Sequence, residues 1–203
     1  MASDPKLSDA LSCRAVASGL SVAEIGSFTG LEAENIKQQV LKLLMDLYLE
    51  GLRNGRTTIF PYTSEEYNRM REQDKHTRYS RVLRDADGRV VGLATGHYFF
   101  RTEAVRYQKI GIAPEYRNRG LAKELICSIA ARARERDKHK VELSVVRGET
   151  AANSLYAKFE FRPVEYQTVQ LLPHVTGMVE ETLEIQWMEA SVEKILAKCK
   201  AGT

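Results

Sequence analysis

With 203 residues, 43% of them apolar, and a formal net charge of +3, the chain has material for one medium domain with a real core, or for one domain and a small appendage. No stretch reaches the roughly 18 consecutive apolar residues of a membrane-spanning helix, and Met1–Pro5 lacks the basic-then-apolar layout of a signal peptide, which points to the cytoplasm. The mild charge argues for no particular partner. Cys13, Cys127 and Cys199 stand far apart with no C-x-x-C pair, and His76, His97, His139 and His174 are scattered, so neither a disulfide framework nor a metal site is expected. The cysteines read as small buried residues in a reducing compartment.

In chain order, Lys6–Ser18 has helical spacing, and Gly19 is a plausible stop. Ser21 and Glu24 have capping-box spacing, which predicts a short helix through Phe28. Ile36, Val40, Leu43, Leu44 and Leu47 predict a longer helix ending near Gly51, and Asn54-Gly55 is a hairpin signal. This outline, with Leu20–Ile25, Thr29-Gly30-Leu31, Ile36 and Val40, resembles a winged helix-turn-helix and suggests a separate unit over residues 1–56. Residues 1–62 nevertheless carry six basic and seven acidic side chains. A DNA-binding face should be basic, so protein docking or packing is preferred for this segment and nucleic-acid binding stays open.

Residues 57–203 alternate strand and helix signals, as an α/β domain does. Thr57–Tyr62 is β-rich, and Thr63 to Glu66 is a capping box opening a helix to about Asp74. Tyr79–Arg84 and Arg89–Phe99 flank the turn signal Asp87-Gly88. Val105–Ala113 is a strand and Gly120–Arg136 a helix; Val141, Leu143 and Val145 alternate as in a strand, Thr150–Phe159 is helical, and Val164–Leu172 is a strand. Thr182–Trp187 is a further strand. The last helix, with Val192, Ile195, Leu196 and Cys199, reads equally as a packing helix or a homodimer interface. The basic run Arg132–Lys140 reads as a solvated helix end.

The chemistry concentrates in residues 109–123. A strand ends at Pro114, a short basic loop follows, and a helix begins with a small, glycine-containing turn. The first turn of a helix cannot satisfy its own N–H groups, and its dipole favours an anion. Gly120 and Ala122 allow close approach to the backbone, and Arg117 and Arg119 add charge.

Arg117-x-x-Gly120-x-Ala122, preceded by Ile110-x-Ile112-x-Pro114, resembles the signature of the GNAT N-acetyltransferases. A second block, Ala151 to Pro163, resembles that family's helix after its fifth strand. The resemblance covers roughly residues 57–172. It implies a mixed, mostly antiparallel sheet with splayed parallel strands, acetyl-coenzyme A as cofactor, and an amine (protein, peptide or small molecule) as acceptor. It further implies that Arg117, Asn118, Arg119, Gly120, Leu121, Ala122 and Lys123 hold the pyrophosphate, that Ile110, Gly111 and Ile112 pair with pantetheine, and that Tyr156 protonates the departing thiolate. The chain departs from the family pattern twice. Glu149 stands where an asparagine is common, with Asn153 as its expected substitute, and Glu160 stands where glycine is usual. Arg106 is nearest to the slot of a family glutamate that accepts the amine proton, so Glu103 and His97 are the remaining candidates for that role. The alternative reading is a DNA-associated regulator, or an interaction module that senses acyl-coenzyme A.

Overall fold

A computed structural model describes residues 19–53, 78–98, 103–171 and 181–201. The described elements are β1 (Ser21–Glu24), α1 (Gly30–Arg53), β2 (Arg78–Arg84), β3 (Val90–Tyr98), β4 (Ala104–Ile112), α2 (Leu121–Glu135), β5 (Lys140–Val146), α3 (Thr150–Lys158), β6 (Arg162–Leu171), β7 (Glu181–Ser191) and α4 (Val192–Lys200). The sheet has seven strands in the order β1-β2-β3-β4-β5-β7-β6. All its neighbours are antiparallel except β4 and β5.

That exception shapes the molecule. β4 and β5 pair only from Ala104–Lys140 to Tyr107–Leu143. Beyond Tyr107, β4 stays with β3, out to Ile112 opposite Gly92, while β5 follows β7, out to Val146 opposite Ile185. The two strands therefore splay and open a cleft at the C-terminal end of β4, as the α/β reading expects.

Helices cover both faces. On one, Ile36, Val40, Leu43 and Leu44 of α1 pack on Val82 and Leu93. This is the helix that its apolar periodicity predicts. On the other, Leu125, Ile126, Ile129 and Ala130 of α2 share a core with Val105, Tyr107, Val141 and Leu143, and with Ile195 and Leu196 of α4. The side chains that left α4 open as a dimer surface are thus buried within its own chain.

Two expectations are corrected. Ser21–Glu24 is a strand paired with Arg81–Arg84, not the start of a helix. Leu20 and Val22 belong to one core while Ala23 and Ile25 belong to the other, so a period of two prevails over the capping-box spacing. Residues 21–53 therefore form a strand, a tight turn and one long helix, and β1 is an edge strand of the common sheet; the helix-turn-helix outline is not shown, and the expected unit over residues 1–56 lies partly outside the described residues. The expected helix at Lys6–Ser18, the hairpin at Asn54-Gly55, the strand at Thr57–Tyr62 and the helix from Thr63 lie outside the described residues.

The second correction concerns the cysteines. Cys127 and Cys199 are joined in a disulfide, because α2 and α4 pack side by side. The bond closes a loop with a sequence separation of 72. Loop-closure entropy makes that worth about 4 kcal/mol, so dithiothreitol should lower the thermal midpoint, and an unchanged midpoint would refute the contribution.

Candidate active site

The segment between β4 and α2 is an open cradle of backbone donors. The Ala113 amide closes onto Val91 O at 2.9 Å, and a tight turn over Pro114–Tyr116 uses the Tyr116 and Arg117 amides on Ala113 O and Pro114 O. Bonding resumes with the Lys123 and Glu124 amides, both on Gly120 O. Among the described residues, the amides of Asn118, Arg119, Gly120, Leu121 and Ala122 find no backbone acceptor. Asn118 (φ 60°) and Gly120 (φ 77°) are left-handed, the alternation that turns successive N–H groups into an anion-binding concavity. A Cβ at Gly120 would meet nothing within 4 Å, so the cradle is open.

Of the two arginines expected there, Arg117 is turned back. Its Nε donates to Ile112 O at 3.0 Å, and Nη1 and Nη2 clasp Glu50 of α1 at 2.6 and 2.5 Å. It ties the loop to the end of α1. Arg119 stays at the loop, over the Tyr116 ring at 5.1 Å, with Nη2 on Glu115 O.

The cleft edge follows from strand alternation. Because Ala113 N–H points to β3, Ile112 and Ile110 turn their backbone groups to the opposite edge, where β5 has departed, and Gly111 turns to β3. Across the cleft, α3 carries Tyr156, which is buried. Its ring lies 6.1 Å from Tyr107 and 5.6 Å from Phe161. Burial pushes the Tyr156 phenol above its ordinary range. The phenol is therefore protonated at neutral pH. One turn earlier, Asn153 Oδ1 is buried with no hydrogen-bond partner among the described residues.

Residues 40–161 match the model of the acetyltransferase (GNAT) family. The chain belongs to that family. The fold agrees: the chain is similar to the spermidine N-acetyltransferase of Vibrio cholerae solved with CoA and spermine, at 19% identity and TM-score 0.64, covering 88% of this chain and 99% of that one. It is also similar to the ribosomal-protein-S18-alanine N-acetyltransferase of Escherichia coli, at 12% identity and TM-score 0.61, covering 85% and 94%. No curated protein matches the sequence.

In this GNAT chain Glu103, one expected proton acceptor, stands just before β4, at the end opposite the splay. Glu103 is exposed, its carbonyl holding the His139 and Lys140 amides at the start of β5. It precedes Tyr107 by four residues, about 13 Å along a strand. His97 pairs with Arg106 through the backbone, and its side chain lies outside the described residues.

What sequence reading missed is a pocket of ≈ 280 Å³ beside the point of splay, lined by Arg106, Glu142, Glu165, Gln167 and Trp187 with Val164 and Met188. Arg106 donates from Nε and Nη2 to Glu142 Oε2, at 3.2 and 3.0 Å, and its guanidinium sits 4.3 Å from the Trp187 ring centre. The available signal was the acidic Glu142 between the apolar Val141 and Leu143. Its partner became visible only through the β4–β5 register.

Lys109 stands opposite Thr95, and burial pushes its pKa down to about 8. The unfolded chain keeps that proton up to the ordinary lysine value of 10.5. Between about pH 8 and 10.5 the unfolded state therefore binds more protons, and stability rises with pH. Lys109→Met should flatten that rise relative to the unmodified protein, measured as thermal midpoint against pH. An identical slope in the two would exclude it.

Proposed function

We propose that the chain transfers an acetyl group from acetyl-coenzyme A to an amine by direct attack, with Tyr156 as general acid. The observation that carries this reading is the run of five amides, Asn118 to Ala122, without backbone acceptors at the start of α2. Such a run, at the positive end of a helix, suits a diphosphate. Family membership and the splayed β4–β5 pair support the same reading.

The residues fit coenzyme A. The five amides, with Arg119 and Lys123, would hold the diphosphate. Arg117, bound to Glu50, braces the loop from behind. The Ile110 backbone groups on the open edge of β4 would pair with the pantetheine amides, Ile112 O being held by Arg117, and the buried Asn153 Oδ1 would accept one further N–H. Bound there, acetyl-coenzyme A supplies an activated thioester. The Ile112 N–H would then face the thioester carbonyl, where negative charge develops during attack, and stabilise it. Tyr156, a phenol that burial keeps further from ionising, would give its proton to the leaving sulfur. No covalent enzyme intermediate is required.

The acceptor is a cationic amine. Glu142, Glu165 and the Trp187 ring line one pocket, and a carboxylate beside an aromatic face suits an ammonium group. Arg106 already places its own guanidinium in such a seat. The similarity to a spermidine acetyltransferase accords with this acceptor class.

The test is mass spectrometry of cell extract incubated with purified protein and isotope-labelled acetyl-coenzyme A. Label should appear on amines in the extract. Label nowhere, at millimolar donor, would refute the reading.

A further inference from the structure

We propose that the pocket beside the splay holds a second, non-reacting cationic group of the acceptor, and that Glu165 selects it. The acceptor is then a molecule with an ammonium or guanidinium group a short alkyl chain away from the amine that is acetylated. This rests on the function proposed above and divides the acceptor into a part that is held and a part that reacts.

Val105, Tyr107, Val141, Leu143 and Met188 belong to the core beneath α2. Side chains alternate along a strand, so Arg106, Glu142 and Trp187 stand on the other face of the sheet, away from the amides at the start of α2. Arg106 and Glu142 face each other one step before the last β4–β5 pair, Tyr107 with Leu143. The pocket therefore lies next to the point where the strands part, on the side opposite the cradle.

Its walls are shaped for a cation. Trp187 Nε1 donates to Gln167 Oε1 at 3.2 Å, which holds the indole in place. Glu165 stands directly across from Trp187 in the β6–β7 register. One cation is already seated, the Arg106 guanidinium, 4.3 Å from the Trp187 ring centre and bonded to Glu142. That pair cancels in charge, and the neighbouring Glu189 is cancelled by Lys140 at 3.1 Å. Glu165 lines the same pocket and has no ion pair among the described residues. A carboxylate with its charge uncancelled, beside an aromatic ring, attracts one further cation.

The charge of that guest decides its role. A nearby carboxylate holds an amine in its protonated form, and a protonated nitrogen has no lone pair with which to attack a thioester. The group in this pocket is therefore not the nucleophile. The nucleophile is a second nitrogen, neutral, that reaches the donor through the gap between β4 and β5. There the C–N bond forms as the C–S bond breaks, the sulfur takes the Tyr156 proton, and the surplus proton on nitrogen passes to water. A molecule with one amine can fill the pocket or react, but not both at once.

Trp187 is the only tryptophan of the chain, so its emission reads the pocket without turnover. The first measurement titrates the full chain with butyltrimethylammonium, a permanent cation with nothing to acetylate, against potassium chloride at equal ionic strength. Emission should change saturably with the organic cation alone. Half-saturation should rise about fivefold in Glu165→Gln, a change on the exposed face of an edge strand that leaves the core untouched. The second measurement follows acetyl transfer to the series 1,3-diaminopropane to 1,8-diaminooctane and to butylamine. KM for the best diamine should rise about fivefold in Glu165→Gln with kcat unchanged, as for uniform binding, and KM for butylamine should not rise. No saturable emission change in the unmodified chain refutes the cation site, and equal half-saturation in Glu165→Gln refutes the role of Glu165. Butylamine used as well as every diamine refutes the second cationic group. A saturable change in a protein that acetylates no amine overturns the transferase reading instead and leaves the cation site standing.

Discussion

Gly120→Glu should abolish the rise in melting temperature that acetyl-coenzyme A gives the unmodified protein. Ligand at about one hundred times its Kd stabilises a protein by about 2.7 kcal/mol, or about 5–10 °C for a chain of this length. Gly120 lies at the centre of the five amides without backbone acceptors, with φ 77°. A glutamate there adds backbone strain of about 1–2 kcal/mol and puts a carboxylate where the diphosphate would lie. Gly120→Ala separates the two effects. Its Cβ would meet nothing within 4 Å, so it should lower the basal midpoint through strain yet keep part of the response to ligand. A Gly120→Glu protein that still responds like the unmodified one would remove the cradle from the binding site. No response by the unmodified protein at millimolar ligand would count against the enzyme reading as a whole.

Tyr156→Phe should lower kcat by about 100-fold or more while leaving that thermal response intact. The phenylalanine keeps the ring contacts with Tyr107 and Phe161, so folding and cofactor binding should survive. What goes is the phenol proton of Tyr156. The expected signature is a fall in kcat and kcat/KM together, as for an interaction made only in the transition state. Full activity in Tyr156→Phe would transfer the proton-donor role to water.

The segment from Lys109 to Lys123 was legible in the sequence because its physics is local. A proline that ends a strand, a left-handed glycine and a helix start all act within a few residues of one another. α1 was legible for a related reason: Ile36, Val40, Leu43 and Leu44 repeat at helical spacing, and all four are buried. The Asp87-Gly88 turn followed suit, with Gly88 at φ 78° and Asp85 accepting its amide. β1 was misread for the converse reason. Ser21 and Glu24 carry a local helix-start pattern, but the partners that make them a strand, Arg81 to Arg84, lie far along the chain.

By itself, then, the sequence determined which stretches form the helices and strands around the cleft, and where a helix offers unsatisfied N–H groups to an anion. Backbone chemistry and short-range periodicity suffice for that. Only the tertiary structure decided what meets across the sheet: Tyr107 with Tyr156, Arg106 with Glu142, Arg117 with Glu50, and Cys127 with Cys199. Each of these pairs depends on strand register or helix docking. A shift of one residue in register turns a side chain to the opposite face, and no local pattern in the chain specifies which neighbour it will find there.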